Sequence, residues 1–465
     1  MTDLLVRGGM VVTHRGSKRA DVAVEGGRIQ HVGDLSGREN SARQVVDASG
    51  QLVLPGVIDV HTHTRVATDD EPDRFFQDSI AAAFGGTTSF LSFNNPGTGA
   101  SARTASSLTA GLGEWRDRTS GDAAIDYGVS LVVTAQQEDP IGELAAVVDA
   151  GVPTCKAFMV YDFRLQDRAL FEAMRTLGSA GGMLQVHCED PVLVDSAVAD
   201  ALQRANTSAR YHAATRSREA EAVATHRAMA FAQATDAPVY VVHLSSQAAL
   251  DEVRRAKAAG TRAFVETCPH YLSLDESRYE QADELDVACS IISPPLRSPS
   301  DCDALWAGLA DGSLDLVGTD HVPDRRSVEK AAVLEGQRFD QISNGAPGIE
   351  TLLSVVYSVG VATGRISVER MVDLLSTTPA RLFGFERKGA IEVGLDADLV
   401  LFDPNARRIL RATDLHHTSD YTPYEGFELT GTIRSVFVRG RPVISDGAFV
   451  GTRGYGTFVE RTISR

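Results

Sequence analysis

The feature that most constrains this chain is a rhythm. Eight short apolar runs recur along it: Val57–His61, Thr87–Phe93, Tyr127–Thr134, Pro153–Met159, Met183–His187, Val239–Leu244, Ala263–Thr267 and Leu314–Thr319. Longer segments with helical periodicity lie between them, among them Asp73–Phe84, Ile141–Ala150, Arg168–Ser179, Arg216–Thr235, Ser246–Ala259 and Ser300–Leu309. Short apolar strands alternating with helices are the pattern of βα units around a parallel sheet. Eight units in ~260 residues suit a (β/α)8 barrel, whose active site is built at the C-terminal ends of its strands. The competing arrangement is an open doubly wound sheet. No Gly-x-Gly-x-x-Gly follows the first run, which weakens a dinucleotide-binding version of it.

The two ends of the chain have a different texture. Leu4–Val6, Met10–Thr13, Asp21–Val24 and Arg28–Val32 are β-prone runs cut by glycines, with a hairpin signal at Gly26-Gly27. Strand texture returns in Asp398–Asp403 and Ser435–Val443, after helical patterns over Gly348–Val361 and Val368–Leu375 and a last short helix stopped by Gly384. The expected organisation is an α/β chain. Its barrel covers 56–384, and one small β domain is assembled from 1–55 and 385–465. The polar stretch Asp324–Asn344, after the eighth run, reads as a loop over the barrel mouth.

Chemistry-bearing residues fall where such a barrel would gather them. The first run, in Pro55-Gly56-Val57-Ile58-Asp59-Val60-His61-Thr62-His63, ends in two histidines one residue apart. On an extended strand, residues i and i+2 share a face. Lys156 sits in the fourth run, His187 ends the fifth, His243 the sixth and Asp320 the eighth. Taken singly, a buried histidine is usually a hydrogen-bonded core residue, a strand lysine extends its head to water, and a terminal aspartate caps a helix. Taken together, unpaired polar groups at one barrel mouth would cost several kcal/mol unless something binds them. A metal centre removes that cost. Imidazole and carboxylate donors suit zinc first, with iron, cobalt and manganese as the other metals such donors accept.

Lys156 needs its own account, because an ammonium is repelled by a dication. A buried amine that loses its proton can react with carbon dioxide to give a carbamate, whose two oxygens can bridge two metals. The ligand count then closes with His61, His63, Lys156 and Asp320 at one metal and Lys156, His187 and His243 at the other. A position stays open for water, as a catalytic site requires. N6-carboxylation of Lys156 is a hypothesis that rests on this placement.

These motifs resemble those of the cyclic amidohydrolases: hydantoinase, dihydropyrimidinase and allantoinase. The resemblance runs through Pro-Gly-Val-Ile-Asp-Val-His-Thr-His, Lys156-Ala-Phe-Met-Val-Tyr161, His187-Cys-Glu, His243-Leu-Ser-Ser and Glu266-Thr-Cys-Pro-His-Tyr-Leu. It continues in Ser293-Pro-Pro-Leu-Arg297, Gly-Thr-Asp320-His, Asn344-Gly-Ala-Pro-Gly and Tyr421-Thr-Pro-Tyr-Glu-Gly-Phe-Glu. It implies a β-sandwich flank beside the barrel, two zinc ions bridged by carboxylated Lys156, and a homotetramer. It also implies hydrolysis of a cyclic amide by metal-activated water. Tyr161 would steady the oxyanion, Asp320 would move the proton to the leaving nitrogen, and backbone groups at Ser293 and Asn344 would grip the ring amide. Tyr161 favours a hydantoinase or dihydropyrimidinase, since allantoinases generally lack it. His187-Cys-Glu and Thr267-Cys-Pro-His-Tyr-Leu lean toward allantoinase, which stays as the alternative. Non-catalytic scaffold relatives have lost metal ligands; all six ligand positions are present here.

Composition bounds the partners. With 45 Lys and Arg against 62 Asp and Glu, the net charge of −17 repels nucleic acid and anionic membranes, so a small-molecule substrate is expected. Five scattered cysteines without a C-x-x-C read as reduced thiols in a cytoplasmic protein. The start lacks the basic and apolar segments of a signal peptide, and no apolar run reaches ~18 residues.

Overall fold

Strand-forming residues at the start of the chain build a sheet before any helix appears. A computed structural model describes residues 2–37, 42–94 and 107–463. The opening strands are β1 (Thr2–Thr13), β2 (Gly16–Glu25), β3 (Arg28–Gly33), β4 (Ala42–Asp47) and β5 (Leu52–Pro55). The runs Leu4–Val6 and Met10–Thr13, expected as two strands, are one: the register of β1 against β2 slips between Val6 and Gly9, a bulge that bends the strand without ending it.

The barrel strands follow: β6 (Val57–Thr62), β7 (Thr87–Asn94), β8 (Asp126–Val133), β9 (Thr154–Phe158), β10 (Met183–His187), β11 (Val239–Val241), β12 (Ala263–Thr267) and β13 (Leu316–Val317). They pair in parallel, in sequence order, as one eight-stranded sheet. Closure between the first and last strands runs through the backbone. His63 N–H donates to His321 O at 2.7 Å, and Thr62 and His321 form a parallel bridge. Beneath it, buried Asp59 accepts from Thr319 N at 3.1 Å and Thr319 Oγ1 at 2.5 Å.

Packing follows the pleat. Val129, Leu131, Val186, Val241 and Val265 face outward and join Leu177, Met229 and Val253 of the surrounding helices in the main core. The end of the barrel away from the histidines is filled by Ile58, Val60, Leu91, Met183, Tyr240 and Leu316 with Phe383. Gly56 is dictated by this crowding: a Cβ there would meet Thr88 Oγ1 at 2.0 Å.

After the barrel come β14 (Leu399–Ile409), β15 (Glu428–Val438), β16 (Arg441–Ser445) and β17 (Ala448–Phe449). They join the opening strands in a second, mostly antiparallel sheet, β14 pairing β5. Leu4, Val6, Val22, Val53, Leu399 and Phe437 make its core. The chain then returns to the barrel. Val459 N–H donates to Tyr127 O at 2.8 Å, and buried Arg461 donates to Phe383 O at 3.1 Å and Val129 O at 2.7 Å.

Two expectations need refinement. The eighth run, read as Leu314–Thr319, is strand only over Leu316–Val317. The chain leaves extended geometry at Asp320, whose φ is 50°. The stretch Asp324–Asn344 is more than a loop: it carries helical turns over Arg326–Lys330 and Ala331–Glu335, and Lys330 is fully buried. No helix among the described residues is long and apolar enough to cross a membrane.

Candidate metal centre

The strand ends deliver the ligand-type side chains to one place. His63, Lys156, Tyr161, His187, His243, Ser293, Asp320 and Asn344 all line a single cavity of about 350 Å³, and His61 lies fully buried beside it. His61 and His63 ring centroids are 5.5 Å apart, His61 and His243 5.4 Å, and His187 and His243 4.5 Å. Asp320 Oδ1 sits 2.9 Å from His61 Nε2 and 3.1 Å from His63 Nε2. Donor atoms of His61, His63 and Asp320 lie within 4.8 Å of one another.

The imidazoles are oriented from behind. Glu266, one residue before the end of β12, is hydrogen-bonded to His61 Nδ1. A carboxylate can only accept, so Nδ1 carries a proton toward Glu266, and the opposite nitrogen, Nε2, faces Asp320. Glu266 is itself held by Tyr240 Oη at 2.6 Å and by His243 N–H at 3.2 Å. On the other side His187 Nε2 donates to Glu189 Oε2 at 2.7 Å, which leaves its Nδ1 unprotonated with a lone pair to offer a metal. Arg216 reaches the same Glu189 oxygen at 2.5 Å. Burial pushes the Glu189 carboxyl up, but Arg216 and His187 outweigh it and hold it at about 2. Asp190 then caps the next helix by accepting from Val192 N and Leu193 N, so the chain turns away within three residues of His187.

Lys156 is 1% exposed, and burial lowers its amine from 10.5 to about 8. Its Nζ lies 4.5 Å from the Phe93 ring centroid and 5.1 Å from that of Phe158. No carboxylate among the described residues pairs with it. A neutral amine is therefore within reach near neutral pH, the precondition for carbamate formation.

Strain concentrates at this site. Tyr161 (φ 76°), His243 (φ 40°) and Asp320 (φ 50°) all adopt left-handed backbone, at a cost of order 1–3 kcal/mol each. Tyr161 packs with its ring 5.2 Å from the Arg216 guanidinium carbon, and burial raises its hydroxyl. Ser293 Oγ is 3.1 Å from His212 Nε2, and buried Asn344 Oδ1 has no hydrogen-bond partner.

The donor set fits a metal. His61 Nε2 and His243 Nδ1 are buried without a hydrogen-bond partner, a cost that a bound cation would lift. Glu266, Glu189, Arg216 and His212 escaped the reading of the sequence. For Glu266 a signal existed: a carboxylate near the end of an apolar barrel strand cannot be left without a partner.

A (β/α)8 barrel with a second sheet and a His-His-Asp cluster at its strand ends is the frame of a metal-dependent hydrolase, and residues 52–443 match the amidohydrolase family. The chain belongs to that family. It is 36% identical to the D-hydantoinase of Ralstonia pickettii, with 99% of each chain covered. Among solved structures it is similar to dihydropyrimidinase from Brevibacillus agri, at 38% identity and a TM-score of 0.92, with 100% of both chains covered. D-hydantoinase from a Bacillus species gives 39% identity and a TM-score of 0.93, again over 100% of both chains.

Proposed function

We propose that this hydrolase opens a cyclic amide ring, a 5-substituted hydantoin or a dihydropyrimidine, to an N-carbamoyl amino acid. The reading is supported above all by two buried imidazole nitrogens without partners, His61 Nε2 and His243 Nδ1, at a cavity large enough for such a ring. The metal centre would be held by His61, His63, Lys156, His187, His243 and Asp320, as two zinc ions bridged by N6-carboxylated Lys156. When bound, the metals supply a water acidic enough to act as hydroxide near neutral pH.

The chain's own groups do the rest. Asp320, directed by its neighbours His61 and His63, accepts the water's proton and delivers it to the leaving ring nitrogen. Tyr161 donates its hydroxyl proton in a hydrogen bond to the developing oxyanion. Backbone groups at Ser293 and Asn344 hold the ring amide in register. Phe158 and Phe163, beside Tyr161, exclude water from the ring substituent.

Turnover of dihydrouracil, a 5-substituted hydantoin and allantoin tests the substrate class. Hydrolysis of either of the first two is expected; exclusive turnover of allantoin would reassign the chain. Mass spectrometry of the native protein tests Lys156, where an unmodified lysine in fully active enzyme would remove the carbamate. We place the protein in the cytoplasm as a homotetramer. Five free cysteines support the first, and the likeness to the cyclic amidohydrolases the second. Light scattering that gives a monomer would contradict the assembly.

A further inference from the structure

Two stretches of backbone form one wall of the cavity, around Ser293 and around Asn344-Gly345. They run side by side, because Gly345 N–H donates to Ile291 O at 2.9 Å. Gly345 has to be glycine: its φ is 133°, and a Cβ would meet Val322 at 2.3 Å. One ammonium holds both stretches. Lys330 Nζ donates to Ser343 O at 2.6 Å and to Ile291 O at 3.3 Å, and its side chain is fully buried. Its counter-charge, Asp324, is equally buried at 3.5 Å and is fixed in turn by Arg65 at 2.7 Å.

The consequence lies in peptide geometry. A trans peptide is planar, with its C=O and N–H pointing in opposite directions. The Ser343 carbonyl and the Asn344 N–H belong to one such plane. An ammonium that draws Ser343 O to one side turns Asn344 N–H to the other. Ile291 O anchors the plane that carries Ile292 N–H, while the next plane, which carries Ser293 N–H, has its Ile292 carbonyl 3.1 Å from His212 Nε2. A ring amide presents one donor and one acceptor, so it is read well only by peptide groups that do not rotate. Burying an ammonium costs several kcal/mol, and an apolar side chain would fill the same space without that cost.

The geometry points to Lys330 as a positioning residue that sets the orientation of the amide-gripping peptide at Asn344 and ties it to the stretch leading to Ser293. This rests on the cyclic-amide reading above. Lys330 touches neither the ring nor any metal ligand, so its removal acts on substrate binding rather than on the chemical step.

The test is steady-state kinetics of metal-loaded Lys330→Met and Lys330→Arg with dihydrouracil and 5-phenylhydantoin. Lys330→Met is expected to raise KM about tenfold for both rings alike, with kcat within about threefold and metal content unchanged. Lys330→Arg keeps the charge but not the single-point donor, and is expected to raise KM by about threefold at unchanged kcat. An unmoved KM in folded Lys330→Met overturns the role of Lys330 alone, as does a loss confined to kcat or metal content. Should Lys330→Met fail to fold, Lys330→Arg decides, and a wild-type KM in it overturns the assignment. Wild-type enzyme that turns over neither ring overturns the cyclic-amide reading and this role with it.

Discussion

Glu266 on β12 grips the Nδ1 edge of His61 on β6, and in doing so commits the opposite nitrogen of that ring to the cavity. The two residues are 205 positions apart and both are fully buried. The same carboxylate also accepts from Tyr240 and from the backbone N–H of His243, so it ties the His61 ring to the backbone that carries His243.

Glu266→Gln should therefore weaken metal binding before it harms the fold. Carboxylates behind ligating histidines are typically worth about 10–100-fold in metal affinity. Competition with a chelator, read as residual metal per chain, measures this. Wild-type affinity in the variant would mean that the pair is only a packing contact.

Asp320→Asn should keep the fold but lose turnover by about 10²–10⁴-fold even when fully loaded with metal, since the amide cannot accept a proton. Near-normal kcat with confirmed metal content would take the proton-transfer role away from this residue.

Tyr161→Phe should lower kcat by about 10²–10³-fold with little change in KM, because an oxyanion donor acts mainly in the transition state. Arg216 is 5.2 Å from the same ring and also holds Glu189, so Arg216→Lys should affect Tyr161 and His187 together. A rise in KM alone for Tyr161→Phe would make this tyrosine a ground-state contact.

Acid should destabilise the protein through histidines buried in neutral form. Burial lowers His212 from 6.5 to about 3, and His270 and His417 to about 4. With folded values below the unfolded one, the unfolded chain takes up protons first as pH falls. The stability these rings contribute is complete above about pH 6.5 and is lost between there and about pH 4, at roughly 1.4 kcal/mol per ring per pH unit. Urea unfolding of metal-free protein at about pH 7 and pH 5 measures the drop, and His417→Gln should shrink it. An equal drop in both proteins would exclude His417 as a source.

The sequence by itself determined the eight strand–helix units, and with them the end of the barrel at which His61, His63, Lys156, His187, His243 and Asp320 assemble. Those properties are local: hydrophobic period sets each element, and a polar residue closing an apolar strand points to the strand's C-terminal end. Glu266 was legible in the same way, as a charge inside a barrel strand, although its partner was not. Tertiary structure alone decided which nitrogen of His61 is free, that Glu189 and Arg216 stand behind His187, and that Lys330 reaches the carbonyls of Ile291 and Ser343. Hydrogen bonds between elements far apart along the chain depend on where the backbone passes in space, and no spacing along the sequence encodes that.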